Sequence, residues 1–549
     1  MSKALPSSES SEEKTSNSSS PPSPGEAQVL ETDVPFSQSL IWRLQREFYA
    51  LRGLKTWTED QVPEYITNNP FIVGIYARVI LDFLSECVEL SRIESKPLSE
   101  ERPLRILELG AGHGKFCFLF LSQLSPLLRD RGIPEETVRY CMTDCSEASI
   151  ESWRANKFLA KFVDAGMLEF ELLQAGERLS DAVRSKFSGD PLVVIASYVF
   201  DSLPQDAFVI RDGEILETLV TTARTVRADQ AGSTETLSDL QLSYRNVPIS
   251  PDRYQNDTWN RILERYRTQL PAATVLFPCE ALTTLQELSG ICNGRMLVLA
   301  ADKGYAHEED ISFSQGPPTL EFHAANCFSQ MVNFDAIGKY FQALGGEALL
   351  PDKHFTGLSI CGFLQGPPGD EFPETQKTYK EIQEAFGPDD LFALFSWLNA
   401  HMEEMSVPQI LAALRLTRWD PMALMRFFPV LARQLRSVSF ERQDLRNAVM
   451  RTWVNHYPLN AADNALAFQC GVILLELRFY EEALAMFGVS EQTFGRSAAT
   501  SYNKGLCALG LERRSEALAF MVEACEQDPN FEPARLARVK LEAESKTGH

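Results

Sequence analysis

The segment Ile106-Leu107-Glu108-Leu109-Gly110-Ala111-Gly112-His113-Gly114-Lys115 constrains the fold of this chain more than any other. An apolar run ends in an acidic residue, and three glycines at alternate positions lead into an amphipathic stretch over 116–128. Glycine has no Cβ, so its backbone adopts left-handed dihedrals and lets a ligand lie directly on the main chain. The pattern predicts a strand, a ligand-binding turn and a helix. Its spacing then selects among ligands. A dinucleotide fingerprint G-x-G-x-x-G would put its third glycine at position 115, which holds Lys115, and no Walker-type lysine follows a four-residue gap. A carboxylate just before the glycines suits a cationic ligand better than a pyrophosphate. S-adenosyl-L-methionine, with its ammonium and sulfonium groups, is such a ligand; a purely structural glycine turn is the alternative.

From Pro103 onward strand-like and helix-like stretches alternate. The strand candidates are Arg105–Leu109, Arg139–Thr143, Leu168–Leu173, Leu192–Ser197, Ala207–Arg211, Met296–Ala300 and Gly357–Leu364. They predict an α/β fold over 101–365, a doubly wound, mostly parallel Rossmann-like sheet that binds ligands beyond the carboxyl ends of its strands. Residues 36–100 read as an N-terminal helical segment of the same unit. Ile41, Leu44, Phe48 and Leu51 share one helical face; Ile72, Ile75, Tyr76, Val79 and Ile80 share another. Asn68 or Asn69 ahead of Pro70 marks a helix start, a structural role unless that turn also faces the ligand. Residues 220–260 are polar and read as an irregular insertion or exposed lid. Residues 1–35 are rich in Ser, Glu and Pro and are expected to be disordered, because they bury too little to offset their ordering entropy.

Gly366-Pro367-Pro368-Gly369-Asp370 breaks the pattern, and 366–380 reads as a linker. Everything beyond it reads as helical. Residues 381–457 are either degenerate repeats or a plain helical domain. Within 458–549, Gly471, Leu475, Ala483, Leu484 and Ala485 recur as Gly505, Leu509, Ala517, Leu518 and Ala519, the period of a tetratricopeptide-like helix hairpin. A cap helix over 533–545 would close the stack. Such stacks present concave surfaces to extended segments, so a protein substrate or partner is expected there.

Asp144, at the end of the second strand, is positioned to accept from ribose hydroxyls, or else to cap the next helix. Gln174, just past the third strand, either reaches the adenine edge or is a solvated loop side chain, and Cys145 and Ser197 flank the same strand ends. The candidate cofactor residues are thus Glu108, Gly110, Ala111, Gly112, Gly114, Asp144, Cys145, Gln174 and Ser197. The fourth strand runs out beside the methyl group in this architecture, which makes Tyr198 and Asp201 the candidate catalytic residues. Tyr198 would orient an acceptor nitrogen or line the pocket; Asp201 would hold a guanidinium or ammonium, or cap a turn before Pro204. Methyl transfer is an in-line displacement that depends on alignment and desolvation, so a general base is not obligatory. Asp302, Tyr305 and His307 follow another strand end, in a loop at the active edge or a hydrogen-bonded turn.

The net charge of −23 over 549 residues argues against nucleic-acid binding, which needs Lys and Arg to neutralise phosphates. Eleven cysteines show no C-x-x-C and no ligand-like pairing with the seven histidines, so no metal site is expected. Most sit in apolar patterns, as reduced thiols of a cytoplasmic protein do. No apolar run reaches membrane-spanning length, and no signal-peptide core is seen at the N-terminus.

Taken in order, these segments resemble the MidA-type methyltransferases, a group that includes the mitochondrial arginine methyltransferase acting in complex I assembly. Glu108 to Gly114 resembles that family's glycine turn, and Phe200-Asp201-Ser202-Leu203-Pro204 its F-x-D-A-L-P segment. Leu297 to Tyr305 is similar to its L-x-x-I-D-Y-G-Y strand and loop, and His323 with Val332-Asn333-Phe334-Asp335 to its closing histidine and V-D-F. The likeness covers about residues 37–365 and leaves the repeats outside. It implies S-adenosyl-L-methionine binding and methyl transfer. One departure matters: the family has an Asn-Glu pair where this chain has Ser197-Tyr198, so the glutamate that would grip an arginine is absent. The joint expectation is a cytoplasmic methyltransferase whose repeats recruit a protein substrate. A non-catalytic cofactor-binding scaffold and a small-molecule methyltransferase are the alternatives.

Overall fold

Runs of β-branched and aliphatic residues build a seven-stranded sheet in the computed structural model, which describes residues 27–53, 65–189, 191–225, 237–292, 294–323, 327–354, 357–459, 463 and 465–547. Across the sheet the order is Glu347–Leu349, Ser359–Gln365, Met296–Asp302, Leu192–Ser197, Leu104–Leu109, Val138–Asp144 and Leu168–Leu172. The last five are parallel; Ser359–Gln365 and Glu347–Leu349 extend the edge in antiparallel sense. Val193, Val194, Ile195, Leu297 and Val298 are fully buried, as expected for parallel strands covered on both faces. One face packs under the helices Pro70–Ile93 and Lys115–Asp130, the other under Cys279–Ser289 and Phe334–Ala343. Strand order reverses between Leu104–Leu109 and Leu192–Ser197, where α/β sheets open a ligand crevice.

Part of the expected topology is corrected. Ala207–Arg211, placed among the parallel strands, is Asp206–Arg211 of a second sheet, antiparallel throughout, with Ala27–Pro35, Glu214–Thr225, Leu240–Pro248 and Ala272–Phe277. The supposed irregular lid over 220–260 therefore contains most of a long strand pair and the start of the helix Asp257–Gln269; residues 226–236 lie outside the described residues. Leu240, Leu242 and Tyr244 alternate with polar residues, the period of a half-buried strand. Residues 27–35 of the supposed tail form the edge strand; residues 1–26 lie outside the described residues. Backbone pairing needs little apolar side chain, and Glu31 ties the strand down by accepting from the Leu40 amide at 2.8 Å and Thr222 Oγ1 at 2.6 Å.

The expected linker over 366–380 is also revised. Its second half opens the helix Pro373–Ala385, which docks on Pro70–Ile93, where Thr378 Oγ1 donates to Asp82 at 2.7 Å, and on the strand Ser359–Gln365, where Tyr379 Oη donates to the Ile360 carbonyl at 2.6 Å. Further helices follow to Glu532–Thr547. Two hairpins, Ala465–Glu476 with Tyr480–Phe494 and Ala498–Gly510 with Arg514–Gln527, cross at Gly471 and Gly505. The expected cap lies within Glu532–Thr547. Among the described residues no helix is long and apolar enough to cross a membrane.

Candidate functional site

The glycine turn is built as its sequence demands. Gly110, Gly112 and Gly114 have φ of +60°, +54° and +81°, a region that side chains with a Cβ rarely enter. Neighbouring elements hold its backbone. The Ala111 amide donates to the Thr143 carbonyl at 2.8 Å, Trp153 Nε1 to the Gly112 carbonyl at 2.8 Å, and Tyr457 Oη to the His113 carbonyl at 2.8 Å.

Beside the turn lies a narrow recess lined by Glu108, Gly110, Ala111, Gly112, His113, Ser197 and Tyr198, and closed by Thr67 and Asn68. Glu108 is buried and accepts from Tyr140 Oη at 2.8 Å. Burial pushes its pKa up to about 8, although the Tyr140 hydrogen bond pulls the other way. A buried carboxyl without a countercharge holds its proton; a cation placed against it restores the anion. The recess thus fits the ammonium end of S-adenosyl-L-methionine.

Gly110 and Tyr198 also line a second cavity of about 150 Å³, together with Asp144, Cys145, Gln174, Arg46 and Tyr49. Asp144 accepts from the Ser146 amide at 2.9 Å. Burial raises its pKa to about 6 against the lowering effect of amides that include Gly112's. Ser146, rather than Asp144, occupies the N-cap of Glu147–Arg154, which leaves the Asp144 carboxyl on the cavity wall. Gly114 stands apart from both cavities. A Cβ there would lie 2.9 Å from Met142 Cε and 3.3 Å from Tyr457 Oη, so this glycine serves packing.

A third cavity of about 170 Å³ shares Tyr49 and Tyr198 with the second and is also lined by Asp201, Lys303, Glu321 and His323. Tyr198, at φ +54°, borders all three spaces. Asp201 meets Asp302, which is fully buried and accepts from the Phe200 amide at 3.2 Å. Burial raises the pKa of both carboxyls, and Asp201's charge raises that of Asp302 further. Two neighbouring buried carboxyls disfavour each other's ionisation. His323 Nε2 sits 2.7 Å from Ser329 Oγ, and burial lowers its pKa. His307 turns away onto His354, with ring centroids 4.5 Å apart.

All the expected cofactor residues except Gly114 therefore border the two spaces at the turn, and both expected catalytic residues border the third. Reading the sequence missed Arg46 and Tyr49, which carry no motif and reach the cavity from the helix Leu40–Arg52. The turn before Pro70 carries both roles that its sequence allows, a helix start and a wall of the recess. Asn69 is indeed the cap, accepting from Phe71 and Ile72, while its two predecessors face the recess.

Residues 87–336 match the model of a family described as "Putative S-adenosyl-L-methionine-dependent methyltransferase". The cofactor of that family is the one expected from the glycine turn. No curated protein matches. Among solved structures, a superfamily member from Burkholderia thailandensis bound to S-adenosyl-homocysteine aligns at 14% identity over 62% of this chain and 90% of its own, with a TM-score of 0.39. A native crystal structure of an uncharacterized protein from the same organism aligns at 15% identity over 62% and 89%, with a TM-score of 0.37.

Proposed function

We propose that residues 101–365, with the preceding helices, form a cytoplasmic class I methyltransferase of Rossmann-like fold that acts on a protein substrate. The observation that carries this reading is Glu108, buried beside the left-handed glycines, with Tyr198 bordering both the cavity that holds Asp144 and the one that holds Asp201. S-adenosyl-L-methionine, when bound, supplies an electrophilic methyl group. Glu108 would hold its ammonium end, Asp144 its ribose and Gln174 its adenine edge. On the acceptor side, a nitrogen or oxygen that gains a methyl group must lose a proton, and Asp201, which borders the third cavity, would take it. The helical hairpins, read as tetratricopeptide-like, would deliver the substrate. The Ser197-Tyr198 departure removes support for MidA-type arginine specificity.

A second reading, a cofactor-binding scaffold without turnover, is favoured by Tyr198, which borders donor and acceptor spaces alike and stands where the resembled family has a glutamate. Calorimetric titration with S-adenosyl-L-methionine, followed by incubation of a lysate with labelled cofactor, separates the readings. Binding with label in protein supports the enzyme, and Asp201→Asn should then cut labelling by about 100-fold with cofactor affinity unchanged. Binding without label favours the scaffold. Label in small molecules alone overturns the protein substrate, and absence of binding overturns both readings.

A further inference from the structure

We propose that Tyr457, contributed by the helical region outside the family match, is a positioning residue of the cofactor turn. The proposal rests on the methyltransferase reading for its consequence but not for its geometry. Tyr457 is buried, and its phenol donates to the His113 carbonyl at 2.8 Å while accepting from Asn156 Nδ2 at 2.7 Å. Its ring packs between Phe118 and Phe158, with centroids at 5.2 and 5.5 Å. The adjacent carbonyl, that of Gly112, is held by Trp153 from within the sheet unit. Two consecutive carbonyls of one turn are thus fixed by donors from two different regions of the molecule.

The same region grips the opposite wall of the recess. Tyr65 Oη donates to Asp420 at 2.6 Å, two residues before Thr67. The Arg418 guanidinium lies so close to Gly74 that a Cβ there would come within 2.2 Å of its Nη1. Asn455, two residues before Tyr457, joins these anchors by donating to the carbonyls of Arg418 and Trp419, both at 3.0 Å. Segments 418–420 and 455–457 therefore form one clamp across the two walls that would enclose the ammonium end of the cofactor. A buried carbonyl that loses its donor costs its desolvation and frees the turn to move.

The test uses the full chain. Tyr457→Phe keeps the ring and removes the donor. It should raise the Kd for S-adenosyl-L-methionine about five- to tenfold and speed amide exchange at Gly114 and Lys115. Leu474→Ala, in the core of the helical region and away from the turn, should lower the melting temperature and change neither. A Kd within twofold of wild type together with unchanged exchange in Tyr457→Phe overturns the proposal. So does an equal rise in Kd with Leu474→Ala, which would mark the effect as general loosening. If the wild-type chain binds no S-adenosyl-L-methionine, the methyltransferase reading falls, and exchange at 114–115 alone decides whether Tyr457 holds the turn.

Discussion

Glycine does different work in the two halves of this chain. In the cofactor turn, Gly110 and Gly112 have positive φ, and each borders the recess, so what matters first is backbone geometry. In the helical hairpins, Gly471 has ordinary helical geometry, but a Cβ there would stand 2.7 Å from the Phe487 ring. There what matters is the distance between two helix axes. The first kind of glycine makes a site and the second makes a crossing, although both look alike in a list of residues. Gly114 mixes the two, with φ +81° and its Cα facing Met142 and Tyr457 rather than ligand.

Paired substitutions break this comparison most sharply. Gly112→Val places a branched side chain at φ +54° in the wall of the recess. Affinity for S-adenosyl-L-methionine should fall at least about 100-fold, while circular dichroism shows the fold retained. Gly471→Val should do the reverse. It should destabilise the helical region by about 1–3 kcal/mol through overpacking against Phe487, with Kd unchanged. Affinity preserved in Gly112→Val would remove the turn from the site; affinity lost in Gly471→Val would erase the distinction between the two kinds of glycine.

The same contrast explains what was legible beforehand. Strands buried on both faces, such as Leu192–Ser197, announce themselves as apolar runs, and the glycine turn announces itself by spacing. The 34-residue recurrence exposed the crossings at Gly471 and Gly505, because close contact tolerates few residue types. The antiparallel sheet was hidden. Its strand Leu240–Pro248 is half polar, and Ala27–Pro35 is held by backbone pairing and by Glu31 rather than by an apolar face. Asp201 was visible at its strand end. Its contact with Asp302, 101 positions later, was not, because no local pattern encodes the pairing of two distant strand ends. Tyr457 was invisible for the same reason: one tyrosine just past the helix Arg442–Val454 carries no mark of the carbonyl it will meet.

Electrostatics sharpens the comparison at the site itself. With Glu108 raised to about 8 by burial, the folded chain holds a proton that the unfolded chain, titrating near 4.5, has already released. Its contribution to stability is therefore full below about pH 4.5 and is lost as pH rises through about 8. A cation against Glu108 reverses the preference, so binding below pH 8 should expel a proton. The Kd should tighten by up to about tenfold per pH unit between pH 6 and 8 and level off above. Titrations at pH 7 in two buffers of different ionisation enthalpy measure the released proton, and Glu108→Gln should abolish it. A Kd independent of pH would place the ammonium away from Glu108.

The smallest expected effect tests whether the turn is held from inside its own unit as firmly as from outside. Trp153 is buried, stands 5.8 Å from Phe170 between ring centroids, and donates to the Gly112 carbonyl. Trp153→Phe keeps an aromatic ring in that core and deletes the donor. A single neutral hydrogen bond contributes about 1 kcal/mol net, so the Kd for S-adenosyl-L-methionine should rise about three- to fivefold. Gly112 tolerates movement better because glycine enters positive and negative φ with equal ease, whereas His113 is largely confined to negative φ. The Trp153 variant should accordingly bind more tightly than one lacking the Tyr457 phenol. Equal losses would mean that the turn moves as one rigid piece; a larger loss for Trp153→Phe would shift the main hold on the cofactor turn back into the sheet unit.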